Sequence, residues 1–280
     1  MKKLITVSKM SGAGNTFTIF DNRNVNVTIE DIQNNAFSFA NAFGEKTEGI
    51  MALNSAISDD TDFDIWFFNP DGSFGPMCGN GSRCAVQFAH SLGLILDVKE
   101  TNFSMANDNY SAKFTPNGVA VTMPNFKEYK ENVSVRIGDR IYVGSYLNVG
   151  SDHFVLHKNQ MRISDSDFWT YDFIEDAKQI RFAQEFEPRG VNVSIFMITD
   201  DNTVFMRTYE RGVEAETGAC GTGAISVGYV VHSLYNVDFP LKIIPTSKET
   251  IWVDYIEKNH QQCFILEGNA QFLQTTNIEL

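Results

Sequence analysis

Two short stretches of this chain carry residue types able to move a proton: Met77-Cys-Gly-Asn-Gly-Ser-Arg-Cys-Ala85 and Ala219-Cys-Gly-Thr-Gly-Ala224. Each places a Cys-Gly-Xaa-Gly turn ahead of a run with helical apolar spacing. Glycines at a helix start let backbone N–H groups converge on an anion, and the helix dipole favours negative charge there. A carboxylate or a thiolate suits such a turn. The cysteine pKa, ordinarily ~8.5, is lowered in this setting, so a thiolate becomes available near neutral pH. If two such turns aim at one amino-acid carboxylate, the α-carbon lies between the sulfurs. One thiolate can then remove the α-proton while the other thiol supplies one from the opposite face, a two-base racemisation.

Blander uses of the same residues compete. A lone cysteine is more often a small buried hydrophobe than a nucleophile, and Cys84 and Cys263 are assigned that part. For Cys78 and Cys220 the following glycines argue the other way, because packing does not need an open helix start. Cys78 and Cys84 have no matching Cys or His pair, so no metal site is expected. A phosphate-binding turn lacks its Gly-Lys-Ser/Thr continuation.

The elements that must position these turns are strands and a few helices. β-branched and aromatic runs predict strands over Phe63 to Phe68, Val119 to Met123, Tyr142 to Val149, Asn192 to Thr199, Thr203 to Thr208, Ile251 to Tyr255 and Cys263 to Leu266. Ile32, Ala36, Phe39 and Phe43 have helical spacing after a Thr28/Asp31 capping box. Ala85, Phe88, Ala89 and Leu92 continue the first Cys-Gly turn into a helix that stops at Gly93. The run Ala224 to Leu234, apolar nearly all round, predicts a buried helix after the second turn. The two cysteines lie 142 residues apart in a chain of 280, which reads as a duplicated domain. The expected fold is α+β: two pseudo-symmetric domains, each a β-barrel-like sheet wrapped around a central helix. The first is placed at residues 1–127, completed by a strand near 268–280, and the second at 128–267.

Lys plus Arg total 22 against 35 Asp plus Glu, a net charge of -13 without any basic block. Nucleic acid and anionic membrane surfaces are therefore not expected partners. Four cysteines are too few for a disulfide scaffold and suit a reducing compartment. The apolar run at the N-terminus stops at Val7, too short for a signal-peptide core. A cytoplasmic protein handling a small molecule is expected, with a homodimer as its candidate assembly.

The segments Asn69-Pro-Asp-Gly-Ser-Phe-Gly-Pro-Met-Cys-Gly-Asn-Gly-Ser-Arg-Cys84, and Glu210-Arg-Gly-Val213 leading to Ala219-Cys-Gly-Thr-Gly-Ala224, resemble the two signatures of the diaminopimelate epimerase family. Lys9-Met-Ser-Gly-Ala-Gly-Asn-Thr-Phe17 and Gly190-Val-Asn-Val193 fit the same family in the same order. The resemblance implies a cofactor-independent enzyme that inverts an amino-acid α-carbon with Cys78 and Cys220 as acid and base. It implies that His153 and Glu210 assist the thiols, and that Asn15, Asn69, Asn192 and Arg211 hold the substrate. Arg211 and two of the asparagines would take its distal carboxylate, since a guanidinium pairs bidentately with such a group. Backbone N–H groups around Gly79, Asn80, Gly221 and Thr222 would take the proximal one.

Taken without the family, the three asparagines read equally as turn or cap residues, Glu210 and Arg211 as a solvated pair, and His153 as a structural imidazole. The chain also departs from the family pattern. Ser11 stands where His is common, Thr16 where Asp is, Glu48 where Asp is, and Ser151-Asp152 where Asn-Pro is, while Glu210 to Cys220 holds one residue more than usual. Racemisation of another polar amino acid such as histidine, and non-catalytic binding of an amino acid, are the alternative functions.

Overall fold

A computed structural model describes residues 3–95, 100–258 and 260–280. The chain divides into two compact units, Met1–Thr122 with Glu267–Leu280, and Met123–Leu266.

The first unit contains β1 (Leu4–Gly12), β2 (Asn15–Asp21), α1 (Ile29–Asn34), α2 (Ala36–Ala40), β3 (Gly49–Ser55), β4 (Phe63–Phe68), α3 (Gly79–Ser91), β5 (Thr101–Met105), β6 (Asp108–Thr115) and β7 (Gly118–Pro124). The second runs through β8 (Glu128–Ile137), β9 (Arg140–Asn148), β10 (Asp152–His157), α4 (Ile174–Arg181), β11 (Asn192–Ile198), β12 (Val204–Glu210), β13 (Ala215–Thr217), α5 (Gly221–Tyr235), β14 (Leu241–Ile244), β15 (Ile251–Lys258) and β16 (Gln261–Gly268). The last strand, β17 (Gln271–Glu279), returns to the first unit and pairs antiparallel with β1.

Strand pairing repeats between the units. In the first, β17-β1-β2 is antiparallel, β2-β3 parallel, β3-β4 antiparallel, β4-β5 parallel, and β5-β6-β7 antiparallel. In the second, β8-β9-β10 is antiparallel, β10-β11 parallel, β11-β12 antiparallel, β12-β14 parallel, and β14-β15 antiparallel. The same alternation in the same order, with one long helix in the second parallel crossover each time (β4 to β5, and β12 to β14), is the structural trace of a duplication. Parallel neighbours need a crossover connection, and those crossovers carry the helices.

Each sheet packs a helix on both faces. Helix α3 lies on β1, β2 and β3, and α5 on β9 to β12, β14 and β15. Nearly every residue of α3 from Gly79 to Ala89 is buried, Arg83 included, so this helix is the core of its sheet. On the other face of the first sheet, Phe20 stacks on Phe39 at 5.1 Å, and Ile5, Val7, Ile32 and Phe68 fill the space under α1 and α2. In the second unit Phe154, Phe168, Phe173 and Ile180 do the same beneath α4.

The strand predicted over Phe63 to Phe68 is β4 residue for residue. The helix predicted from Ile32 to Phe43 differs: its capping box forms, but Asn35 (φ -115°, ψ 17°) divides it into α1 and α2, and Phe43 lies beyond both. The cause is local, since the Asn35 amide turns back and donates to the Asp31 carbonyl at 2.8 Å, competing with continuation of the helix. Helix α3 ends at Ser91, with Gly93 left-handed (φ +71°), and α5 stops at left-handed Asn236. Among the described residues no helix is long and apolar enough to cross a membrane.

The seat of α3 depends on Gly12. The β1-β2 hairpin turns through Ala13 (φ 55°) and Gly14 (φ 89°), both left-handed as a tight hairpin turn requires. A Cβ on Gly12 would lie 2.6 Å from the Asn80 carbonyl oxygen and 3.1 Å from the Cys84 sulfur. Gly12→Ala is therefore expected to push the first turn of α3 off the hairpin and cost about 1–3 kcal/mol, a typical overpacking penalty. Urea unfolding measures it; an unchanged midpoint would contradict this contact.

Candidate active site

Both cysteines occupy helix N-cap positions with similar backbone angles, although the Cys220 side chain makes no cap hydrogen bond. Cys78 precedes α3 with φ -119° and ψ 109°, and Cys220 precedes α5 with φ -121° and ψ 113°. Cys78 is half-buried, and its sulfur accepts the Gly81 N–H at 3.4 Å. Cys220 is buried, its sulfur 3.6 Å from the Thr222 hydroxyl. First-turn N–H groups have no acceptor within their own helix, so each sulfur sits where a local positive potential favours the thiolate. The second glycine of the turn is a spatial requirement at Gly223, where a Cβ would approach the Cys220 Cβ to 3.1 Å and its sulfur to 3.2 Å.

In the first unit, a polar chain runs beside the Cys78 helix start. Asn15, presented by the hairpin at the head of β2, donates its amide to Glu48 and accepts from the Asn80 amide at 2.8 Å. The Asn80 side-chain oxygen accepts from Arg83 at 2.8 Å. Asn15, Asn80 and Arg83 are all buried. Asn69 stands apart from this chain. Its amide bonds Ser73 Oγ at 3.0 Å and the Phe74 carbonyl at 3.4 Å, closing the turn after β4. Arg83 carries no role in the sequence reading, although an arginine three residues after Asn80 on an apolar helix is a visible signal for a buried partner.

The second unit gathers more of the expected residues. His153 on β10 lies in parallel register with Asn192 on β11. Its Nε2 meets the Ser151 hydroxyl at 2.8 Å and the Thr222 hydroxyl at 2.9 Å, and those hydroxyls are 3.0 Å from each other. Thr222 thereby links the His153 ring to the Cys220 sulfur. Asn192 donates to the Asp152 carbonyl at 2.9 Å, and its oxygen accepts the Arg211 N–H at 2.9 Å. Glu210 closes β12, where its carboxylate accepts from the Thr217 hydroxyl on β13. Cys220, Thr222, His153, Asn192 and Arg211 thus form one connected network. The four-residue loop from Arg211 to Glu214 is anchored by Glu214, whose carboxylate takes the Gly212 N–H at 3.0 Å and Arg181 at 3.1 Å.

Burial sets the charge states here. His153 is fully buried, and desolvation first, then the nearby Arg211, push its pKa down to about 3. The ring is neutral at physiological pH. Its Nδ1 has no hydrogen-bond partner among the described residues; a bare lone pair there is a less costly orphan than an N–H, which assigns the proton to Nε2. Asp152 behaves oppositely. Hydrogen bonds from Arg189 foremost hold its carboxyl well below the usual range, so this buried group is ionised at physiological pH. Arg189 and Ser151 are further members of the network that sequence reasoning does not single out as site residues, because neither falls in a recognisable turn.

Residues 7–126 match the family model described as diaminopimelate epimerase. The diaminopimelate epimerase of Aquifex aeolicus (strain VF5) is 32% identical over 263 residues, covering 89% of each chain. That of Chlorobaculum tepidum is 31% identical over 275 residues, 97% of this chain and 100% of that one. Among solved structures, a hydroxyproline epimerase from Agrobacterium vitis with bound trans-4-hydroxy-L-proline superposes with a TM-score of 0.72 at 13% identity, over 99% of this chain and 93% of that one. A phenazine biosynthesis protein of the PhzF family from Bacillus anthracis gives 0.71 at 13% identity over 99% of both. These two likenesses establish the shared α+β fold. On the sequence relationships, which span nearly the full length, the chain belongs to the diaminopimelate epimerase family of isomerases.

Proposed function

We propose that this enzyme interconverts LL- and meso-diaminopimelate, with Cys78 and Cys220 as the acid and base and without a pyridoxal cofactor. The observation carrying this reading is the pair of cysteine-capped helices with nearly the same backbone angles, one in each half of a duplicated chain. Inversion requires a proton to leave one face of the α-carbon and return to the other, which two thiols can perform and one cannot. The reading therefore requires both sulfurs to reach one α-carbon.

Energetics decide what else is needed. A turnover of ~10 per second corresponds to a barrier of about 16 kcal/mol, and a thiolate alone is too weak a base toward an amino-acid α-proton to reach it. The carboxylate must be stabilised as it becomes enolate-like. Each preorganised donor in a dry site contributes about 2.7–4 kcal/mol, and N–H groups of Gly79, Asn80, Gly221 and Thr222 are the donors of choice. Two helix starts can supply most of that stabilisation. Their dipoles act most strongly with water excluded.

In this reading the other side chains serve that centre. Neutral His153, tied through Thr222 to the Cys220 sulfur, orients that thiol without adding charge, and Glu210 assists from the end of β12. Asn15 steadies the Asn80 side chain at the other helix start. Arg211, with Asn69 and Asn192, takes the distal carboxylate, which favours diaminopimelate over histidine, a substrate that would leave a guanidinium without its anion. The reading also places the enzyme in the reducing cytoplasm, where both thiols stay available.

Single Cys78→Ala and Cys220→Ala variants are expected to lose interconversion of LL- and meso-diaminopimelate, while one of them retains α-proton exchange with deuterated solvent from its remaining face. Near-normal inversion by either variant would defeat the two-base mechanism. Solvent exchange by the wild type also separates an enzyme from a mere amino-acid binder. Side-by-side kcat/KM for LL-diaminopimelate and L-histidine tests the substrate, with Arg211→Ala as control; faster inversion of histidine, untouched by loss of Arg211, would reassign it.

Since His153 stays neutral down to about 3, the unfolded chain binds more protons than the folded one between that value and an ordinary imidazole pKa of ~6.5. Stability due to this residue is therefore present above the ordinary value and declines as pH falls through that window. NMR titration should show no ring protonation of His153 between about pH 5 and 8. A midpoint near the ordinary histidine value would contradict its burial.

A further inference from the structure

Among the described residues, the Asp152 carboxylate accepts five hydrogen bonds. Its Oδ1 accepts from Tyr146 Oη at 2.6 Å, Asn148 Nδ2 at 2.9 Å and Arg189 Nη2 at 2.9 Å. Its Oδ2 accepts from Arg189 Nε and Arg211 Nη1, both at 2.9 Å. The Arg189 fork occupies both carboxylate oxygens, so Asp152 has one position left for Arg211. Only Nη1 of Arg211 is engaged, by Asp152 and by the Gly190 carbonyl at 3.1 Å; its Nε and Nη2 have no partner among the described residues. That free edge is the one a carboxylate grips with two parallel hydrogen bonds.

The charges follow the same division. Asp152 is only 4% exposed and ionised at physiological pH, whereas Arg189 is 64% exposed. Taken alone, an Asp152–Arg211 pair is neutral, and a buried carboxylate with a vacant oxygen would draw the Arg211 fork onto itself. With Arg189 present the cluster keeps one net positive charge. Glu128, Glu185 and Glu187 line a cavity of about 140 Å³ beside Arg189, yet both Arg189 hydrogen bonds go to Asp152.

We infer that Arg189 is a positioning residue for substrate recognition: by saturating Asp152 it keeps Arg211 cationic and leaves its Nε–Nη2 edge open to the distal carboxylate of a dicarboxylic amino acid. This rests on the diaminopimelate reading and extends it to a residue outside both family signatures. Asp152 anchors the recognition arginine, and Arg189 prevents the anchor from consuming it.

The test is steady-state inversion of LL-diaminopimelate by the wild type, Arg189→Gln, Arg189→Lys, Arg211→Ala and the Arg189→Gln/Arg211→Ala double variant. Because Arg189 is largely exposed, Arg189→Gln is expected to fold with an unchanged melting temperature. It should raise KM about tenfold with kcat within about twofold, the pattern of lost uniform binding. Arg189→Lys, which restores charge but not the fork, should recover part of the loss. In the Arg211→Ala background the substitution should change nothing further, because Arg189 acts only through Arg211. An unchanged or lowered KM in Arg189→Gln, or an equal effect without Arg211, would overturn this inference alone. No inversion of LL-diaminopimelate by the wild type would instead overturn the substrate reading, and this inference with it.

Discussion

The first turn of a buried helix is the constraint on which the rest of this molecule depends. A helix start leaves several N–H groups without partners, and burying them is costly unless an acceptor is supplied. Here a cysteine occupies the N-cap of each long helix, and at α3 its sulfur accepts a first-turn N–H. The glycines beside each cysteine let the sulfur and its surroundings approach the helix backbone closely.

The sheets hold those helix starts in place. Repetition of antiparallel, parallel, antiparallel and parallel pairing in the two units places the long helix in the second parallel crossover each time. In the first unit the tight β1-β2 hairpin presents Asn15 toward Asn80 of α3. In the second, the parallel register of β10 and β11 sets His153 beside Asn192, and the β12-β13 hairpin brings Arg211 back to both Asn192 and Asp152. Equivalent frames therefore carry different polar outfits, amide-rich in one unit and ionic in the other.

Ion pairing in the second unit shows how a buried carboxylate is accommodated. A buried carboxylate beside Arg211 competes for its guanidinium. Tyr146, Asn148 and Arg189 take up most of the Asp152 hydrogen-bonding capacity. Arg211 is held by a single N–H to that carboxylate. Neutral His153 sits next to this ionic group without joining it, because complete burial opposes its protonation.

Local patterns alone are enough to identify what is local in this protein. Cys-Gly-Xaa-Gly before an apolar run determines a capped helix, because glycine spacing and N-terminal electrostatics act within a single turn. The β-branched run of β4 and the Thr28/Asp31 capping box are legible for the same reason. The helix expected to run through Asn35 breaks there because that side chain bonds its own backbone, a competition that periodicity does not register. Strands β1 and β2 carry no comparable signal: they set Lys9, Ser11 and Thr18 in buried positions, and β1 pairs with residues from the far end of the chain. The same holds for the site. Cysteines and glycines are visible as turns, but only tertiary structure decides that Thr222 bridges His153 to Cys220, that Arg83 is buried against Asn80, and that Asp152 lies between Arg189 and Arg211. Those partners are up to 69 residues apart, and what a buried charge meets is determined by the packing of whole sheets rather than by its neighbours in sequence.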